Sequence, residues 1–205
     1  MQSRNSARRF TAFALLAGAA VLGACDAPTD PGGAAVAGGP SLLVTPACAG
    51  TGGQVRPSQT IRTAQVWTRA SGPHRVTGEI YVDAGGRLSI APGAVVCFEP
   101  GAGLLARNGG RLYARGRDTA QVVLTARDAA LGWNGIHVSG TPAAASYLTN
   151  VRIEHVAVGS VAVHATEQHP VYLDSAVIRQ TGQAVRLHAP GSRIARSRVD
   201  TTTNR

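Results

Sequence analysis

The chain has no lysine, so all 20 of its basic residues are arginine, and only 11 of its 205 residues are acidic. A calcium site needs several convergent oxygen ligands, and no two acids stand at positions i and i+2. No G-x-S-x-G segment offers a nucleophilic serine. Aromatic residues make up 4% of the chain, which argues against an extended carbohydrate groove. These shortages disfavour the commonest kinds of hydrolytic site.

The N-terminus predicts export. Three arginines precede an apolar run at 10–22, which is too short for a membrane span and typical of a secretory signal. The run ends in Leu-Gly-Ala-Cys, which resembles the bacterial lipobox, where the cysteine becomes the lipidated first residue. We predict a lipoprotein signal peptide at 1–24, a lipid on Cys25, and a cell-envelope location at the periplasmic or outer-membrane face. An ordinary signal peptide, cut near Ala24 and leaving a free thiol, stays open as the alternative.

Charge and cysteine content bound the partners of the mature chain. Removing the three signal arginines lowers the net charge from +9 to +6, and the remaining arginines are scattered rather than clustered with aromatics. We therefore expect no nucleic-acid partner and no cofactor. Cys48 and Cys97 form an even pair in an oxidising compartment, which predicts one disulfide. Two separately buried thiols are the alternative.

The composition divides the mature chain into three parts. Residues 25–40 are mainly alanine, glycine, proline, threonine and aspartate, a composition that predicts a disordered tether. Residues 41–75 carry weaker strand signals and are predicted to form an N-terminal cap. Residues 76–205 carry the repeats described next. A solenoid needs a cap because its end coil exposes an apolar cross-section and an unpaired edge.

An internal repeat governs the fold prediction. Asp-Ala-Gly-Gly-Arg-Leu at 83–88 is matched 24 residues later by Arg-Asn-Gly-Gly-Arg-Leu at 107–112. An alternating run follows each Gly-Gly, as a strand requires, and the period suits one coil of a β-solenoid. The predicted strands are 77–82, 87–90, 94–99, 104–106, 111–114 and 121–126.

The second half repeats with less regular spacing. Residues 148–153 match 173–178 at an offset of 25 and 194–199 at a further 21. Val161, Val163 and His164 are matched with Val185, Leu187 and His188 at an offset of 24. One apolar column is predicted to run through the coils, formed by Ile80, Leu88, Ile90, Leu112, Val122, Ile136, Val151, Ile153, Ile178 and Leu187.

Four segments, at 78–82, 88–93, 109–112 and 133–136, look like the bacterial right-handed parallel β-helix repeat proteins of the cell envelope. The resemblance covers roughly 71–199. It implies an all-β, right-handed parallel β-helix (β-solenoid) of about five to six coils. The same coil carries pectin-degrading enzymes, adhesins and proteins of no assigned activity. We expect a non-catalytic, lipid-anchored structural or binding surface, with a cell-wall or surface glycan as a partner. The alternative is a lyase or hydrolase of acidic polysaccharide.

Residues one repeat apart should stack about 4.8 Å from each other. Glu154, Arg179 and Asp200 then form a column of alternating charge, and Asp83 stacks with Arg107. The resemblance leaves an active-site interpretation open, because pectate-lyase-like enzymes use acids for calcium and an arginine as base. Ion pairs are ordinary on exposed sheet faces, and we favour a surface ion ladder.

Histidine and tryptophan supply the other candidate ligand residues. His164 and His188 are placed in one outward column, where two imidazoles could share zinc. A zinc site needs a third protein ligand, which the sequence does not offer, so no metal is predicted. Trp133 and Trp67 are candidate sugar platforms, with a capping aromatic as the favoured interpretation of Trp133.

The last match ends at Val199, six residues before the end of the sequence. No cap follows it, so the final coil is expected to be uncovered. An uncovered coil invites edge-to-edge pairing. We therefore predict either a truncated form of a longer protein or self-association through the C-terminal coil.

Overall fold

The computed structural model describes residues 45–50, 53–141 and 145–200. Nineteen short strands in this part of the chain form three parallel sheets. Each strand pairs with the third strand along the chain, so three strands make one coil. Six coils, β1–β3 to β16–β18, are followed by β19. The prediction of an all-β parallel solenoid of five to six coils is confirmed.

The three sheets are named in chain order. The first sheet contains β1 (Gln54–Arg56), β4 (His74–Val76), β7 (Val95–Phe98), β10 (Val122–Ala126), β13 (Val151–Glu154), β16 (Val177–Arg179) and β19 (Arg198–Asp200). The second contains β2 (Gln59–Ile61), β5 (Glu79–Val82), β8 (Gly103–Ala106), β11 (Trp133–Val138), β14 (Val156–Ala165) and β17 (Gln183–Leu187). The third contains β3 (Ala64–Trp67), β6 (Arg87–Ile90), β9 (Arg111–Arg115), β12 (Ser146–Thr149), β15 (Val171–Asp174) and β18 (Arg193–Ala195).

Helical structure is limited, in the described ranges, to 3-10 turns at Pro46–Cys48 and Arg69–Ser71. Among the described residues no helix is both long and apolar enough to cross a bilayer. Residues 1–44 lie outside the described ranges, and with them the predicted signal peptide, Cys25 and the tether. Strands β1 to β3 occupy much of the segment predicted as a cap and pair in register with the second coil.

The Gly-Gly turns explain the 24-residue period. Gly85 and Gly109 adopt φ values of 78° and 85°, which glycine reaches without a steric penalty. A Cβ on Gly86 would lie 2.1 Å from the carbonyl oxygen of Ile61, in the preceding coil. Gly110 approaches the oxygen of Val82 in the same way, at 2.0 Å. The first glycine thus makes the turn, and the second lets two coils approach closely.

Side chains alternate between a dry interior and the surface, as a period of two requires. Leu88 pairs with Leu112, Ile153 pairs with Ile178, and these four are buried. The predicted inward residues are all buried except Leu187, which is half-buried against the core. They line all three sheets, so the prediction of a single column is wrong in that respect.

The predicted register holds in the first and third sheets and fails between β14 and β17 of the second. Leu148 pairs with Leu173, and Leu173 with Ile194, at the predicted offsets of 25 and 21. In the second sheet Val163 pairs with Val185 and His164 with Arg186, an offset of 22 rather than 24. The two-residue error arose because similar residues recur two positions apart along β17.

The last described coil has little cover. All three residues of β18 are exposed, and Ile194 and Val199 are 54% and 46% exposed. The prediction of an uncovered final coil is confirmed for the described residues, while 201–205 lie outside them. Self-association through this coil remains a prediction, which sedimentation at high concentration tests.

Candidate binding face

The outward side of the third sheet carries a row of tyrosines. Tyr113, Tyr147 and Tyr172 occupy one position on β9, β12 and β15, and each pairs with the next. The rings of Tyr113 and Tyr147 are stacked, with centroids 5.7 Å apart and planes 11° apart. Tyr147 and Tyr172 lie 4.9 Å apart and are tilted by 42°. Three residues separated by 34 and 25 positions in the sequence thus form one continuous aromatic row.

Arginines flank this row. The guanidinium carbon of Arg115 lies 4.9 Å from the ring centroid of Tyr113 and 4.7 Å from that of Tyr147. Arg87 lies 6.0 Å from Tyr113, and Arg193 lies 5.9 Å from Tyr172. These distances are those of cation–π contacts, which favour arginine. The three tyrosines with Arg87, Arg115 and Arg193 are called the tyrosine–arginine face below.

The charge of this face is not neutralised. No ion pair joins Arg87, Arg115 or Arg193 to an acid within the described residues. Arg87 also stands directly opposite Arg111 on the neighbouring strand, and like charges opposite each other in a sheet are destabilising. The face therefore retains a positive charge, and the repulsion between Arg87 and Arg111 lowers the stability of the fold.

Two open pockets lie on the same face, and Arg87 lines both. One has a volume of about 330 Å³ and is formed by the Gly-Gly turns together with Arg87 and Arg111. The other, of about 400 Å³, is formed by Arg87, Tyr113, Arg115 and the turn at Ala91 and Pro92. Both volumes are in the range of small-ligand sites. The concave parts of the face thus carry arginine at their walls.

The first sheet has the opposite electrostatic character. Glu154, Arg179 and Asp200 are in register as predicted. Asp200 forms an ion pair with Arg179 at 3.4 Å and accepts a hydrogen bond from Arg198 at 2.6 Å, whereas Glu154 pairs with Arg152 on its own strand at 3.0 Å. In the first sheet, these acids and arginines neutralise each other. The predicted contact between Asp83 and Arg107, which follow β5 and β8 of the second sheet, is also present, at 3.3 Å.

Hydrogen bonds from arginine lower the pKa of two acids, Glu99 and Asp174. Burial alone would raise the pKa of Glu99, but hydrogen bonds from Arg127 and Arg75, at 2.8 and 2.6 Å, outweigh it and hold that pKa below its usual value. The guanidinium of Arg196 lowers the pKa of Asp174. These carboxylates are thus charged acceptors at neutral pH, and neither is raised toward the range of a general acid.

The histidines form a cluster that differs from the prediction. His164 pairs with His137, and their rings stack at 4.8 Å. His188 lies beyond β17 and meets His164 edge-on at 6.0 Å. Burial, and then the neighbouring His137, His188 and Arg186, lower the pKa of His164. Within the described residues no group of three or more histidines, cysteines or acids is placed to hold a metal ion.

Neither tryptophan is a surface platform. Trp133 and Trp67 are fully buried. Trp133 stacks on Phe98 with ring centroids 4.0 Å apart, and its indole nitrogen donates to the carbonyl oxygen of Glu154 at 2.9 Å. Trp67 stacks on His74 at 5.2 Å. The two largest side chains fill the core because burying them removes the most apolar area from water, and the proposal of sugar platforms at these positions is wrong.

The predicted cysteine pair is present. The sulfurs of Cys48 and Cys97 are 2.07 Å apart, and their Cα atoms are 5.8 Å apart, as a disulfide requires. Val96 and Phe98 are buried inward, and Cys97 points from the first sheet to the Pro46–Cys48 turn. The turn is thereby fixed to β7, on a sheet other than the one that carries the tyrosine–arginine face.

Comparisons of the chain with protein-family models, curated proteins and solved structures find no match. The candidate site is therefore defined by its own geometry. The tyrosine–arginine face was missed because the sequence prediction treated the arginines as scattered and considered only tryptophan as a platform. One signal was available, since the match of 148–153 to 173–178 already placed Tyr147 opposite Tyr172.

Proposed function

We propose that this chain is a bacterial lipoprotein that holds a rigid, non-catalytic β-solenoid at the cell envelope and offers the tyrosine–arginine face to a partner. The observation that carries the proposal is the row of three tyrosines flanked by arginines that have no acidic partner among the described residues. Aromatic residues and arginine are enriched at the centres of binding surfaces. The like-charge pair of Arg87 and Arg111 costs stability, and a bound anion would offset that cost.

The cell-envelope part of the proposal is supported by the N-terminal sequence. Positive charge, a short apolar run, small residues and Cys25 occur in the order that lipoprotein processing requires. The several acyl chains of a bacterial lipoprotein would hold the molecule firmly, whereas a single chain binds marginally.

A right-handed solenoid is favoured because crossover connections between parallel strands are right-handed in nearly all sheets.

The non-catalytic part is supported by how the acids are used. Asp83, Glu99, Glu154, Asp174 and Asp200 are all in ion pairs with arginine. Asp128 accepts hydrogen bonds from the backbone of Ala130 and Leu131, and Glu79 accepts one from Tyr81. Seven of the nine acids in the described residues therefore have structural partners, and none of the nine lines the two pockets.

The test is binding of the purified mature chain to an isolated envelope fraction. The triple variant Tyr113→Ala, Tyr147→Ala, Tyr172→Ala should lose most of the binding, whereas Arg152→Gln on the first sheet should retain it. Equal binding by the parent and the triple variant would contradict the proposal.

Mass spectrometry should also find a lipid-modified peptide that begins at Cys25, and an unmodified thiol there would contradict the lipid anchor. Depolymerisation of the envelope polymer would favour the enzymatic alternative.

A further inference from the structure

We infer that the tyrosine–arginine face binds a hydroxyl-rich polymer with repeated carboxylate or phosphate groups, and that the polymer lies along the solenoid axis. This inference rests on the proposed function, which supplies the binding surface, and adds the chemistry and direction of the ligand.

The charge of the face requires an anionic ligand. The guanidinium groups of Arg87 and Arg193 lie beside the tyrosine row, and that of Arg115 lies about equally far from two of its rings. A guanidinium forms paired, charge-assisted hydrogen bonds with carboxylate and phosphate. Asp174 is the acid that lies on the outward side of the third sheet, and Arg196 already binds it. No described acid therefore competes with a ligand for these three arginines.

The stacking of the tyrosines disfavours a nucleic acid. Single-stranded nucleic acids bind by stacking their bases on exposed aromatic faces. Here the faces of Tyr147 are covered by Tyr113, Tyr172 and Arg115, whose guanidinium lies 4.7 Å away. Insertion of a base would require neighbouring rings about 7 Å apart, twice a van der Waals contact, but the centroids are 5.7 and 4.9 Å apart. The ring edges and hydroxyls remain for the ligand.

The tyrosine hydroxyls suit a hydroxyl-rich partner. A phenolic hydroxyl can both donate and accept a hydrogen bond. Within the described residues, the hydroxyls of Tyr113, Tyr147 and Tyr172 form no hydrogen bond, whereas that of Tyr81 on the second sheet donates to Glu79. None of the three is among the buried atoms without a partner, so water reaches them. A polyol or sugar can replace that water with donors and acceptors of its own.

The layout of the face sets the direction of the polymer. The row crosses β9, β12 and β15 rather than following one strand. Arg193 on β18 continues it in register, and Arg87 on β6, two residues before the position opposite Tyr113, lies beside its other end. Five neighbouring strands span about 19 Å at about 4.8 Å a step. That step is comparable to the length of one sugar ring in an extended polysaccharide. The ligand therefore lies across the strands, with roughly one sugar unit for each coil.

The experiment is a titration of the mature chain with four polymers at low and high salt. Polygalacturonate supplies carboxylate, poly(glycerol phosphate) supplies phosphate, dextran is neutral, and oligothymidylate is a single-stranded nucleic acid. We expect at least one of the first two to bind, with an affinity that falls as salt rises. Arg115→Gln should weaken binding by about tenfold or more, because it removes a charge-assisted hydrogen-bond donor. Arg198→Gln, on the first sheet, should leave it unchanged.

A second variant separates hydroxyl contacts from folding. Replacing all three tyrosines with phenylalanine keeps the stacked rings, so the melting curve should match that of the parent. The affinity for the polymer should still fall by about tenfold or more, because each lost hydroxyl removes a hydrogen bond to the ligand. For uronate oligomers, affinity should rise with length up to about five sugars, the number of strands spanned, and then level off.

Three results would overturn the inference: binding to neither anionic polymer, binding to dextran as strong as to both, or displacement of the anionic polymer by oligothymidylate. Each of these differs from failure of the proposed function. If envelope binding still depends on the three tyrosines, the face is a binding surface for a ligand of other chemistry. If envelope binding does not depend on them, the tyrosine–arginine face is not the binding surface and the proposed function is wrong.

Discussion

The first and third sheets share one coil geometry but differ in their electrostatics. On the first sheet, Arg75 and Arg127 converge on Glu99, and Arg179 and Arg198 converge on Asp200. On the third, arginines lie beside tyrosine rings and opposite one another without a described acid between them. A parallel ladder stacks like positions in both cases. The difference shows that the outward residues, rather than the fold, determine which side can receive a ligand.

Breaking the shared core should have the largest effect. Ile153 is fully buried between Leu124 and Ile178. Ile153→Asp would bury an unpaired charge, at a cost of about 5 kcal/mol or more, comparable with the whole stability of a domain. We expect an unfolded protein by circular dichroism. Val158→Asp is the control, since Val158 is 88% exposed and should tolerate the charge. If the Ile153 variant melts at the same temperature as the parent, Ile153 faces solvent and the register of this strand is shifted by one residue.

The disulfide is attached to the first sheet, through Cys97 on β7, and has no counterpart on the third sheet in the described residues. Opening the Cys48–Cys97 bridge, with a sequence separation of 49, should lower the free energy of unfolding by about 3 to 4 kcal/mol, since the unfolded chain regains freedom. Urea unfolding with and without reductant measures this. The Cys97→Ser variant, which has no disulfide, should unfold at the same urea concentration with and without reductant. Identical midpoints for the oxidised and reduced parent would contradict the prediction.

Removing one acid tests whether the first sheet is neutralised for stability. Glu99→Gln removes the negative charge that Arg75 and Arg127 share, and partly exposed pairs of this kind contribute about 1 kcal/mol. Arg115→Gln on the third sheet should cost less, about 0.5 kcal/mol, the lower end of the range for an exposed cation–π contact. Chemical unfolding of both variants compares the two sheets directly. A larger loss for Arg115→Gln would assign its contacts to stability rather than binding.

A smaller effect is expected from pH. Burial and the adjacent cations lower the pKa of His164, so the unfolded chain takes up a proton at a higher pH than the folded chain. Stability should therefore fall as pH drops below about 6.5, the ordinary histidine value. His164→Gln should narrow the difference between melts at pH 7 and pH 5. His74, His155 and His169, whose pKa values burial also lowers, should retain part of it. An unchanged difference would contradict the assignment.

The sequence was sufficient to predict the core but insufficient to predict the candidate site. Gly86 and Gly110 each lie close to a backbone oxygen of the preceding coil, which requires glycine at both positions, so the repeat could be recognised from composition and spacing alone. Tyr113 and Tyr147 are 34 residues apart because the intervening coil has longer loops, and no fixed period aligns them. Trp133 illustrates the opposite problem, since a large aromatic is equally compatible with a platform and a core position until its burial is known.

The most direct test of the continuous row is intramolecular photo-oxidative cross-linking of the four tyrosines. We expect dityrosine between Tyr113 and Tyr147 and between Tyr147 and Tyr172, whose ring centroids are 5.7 and 4.9 Å apart. Tyr81, which pairs on the second sheet, should join none of them. Peptide mapping by mass spectrometry identifies each cross-link. Coupling of Tyr81 to a third-sheet tyrosine within one chain, or no coupling among the three, would contradict the tyrosine–arginine face.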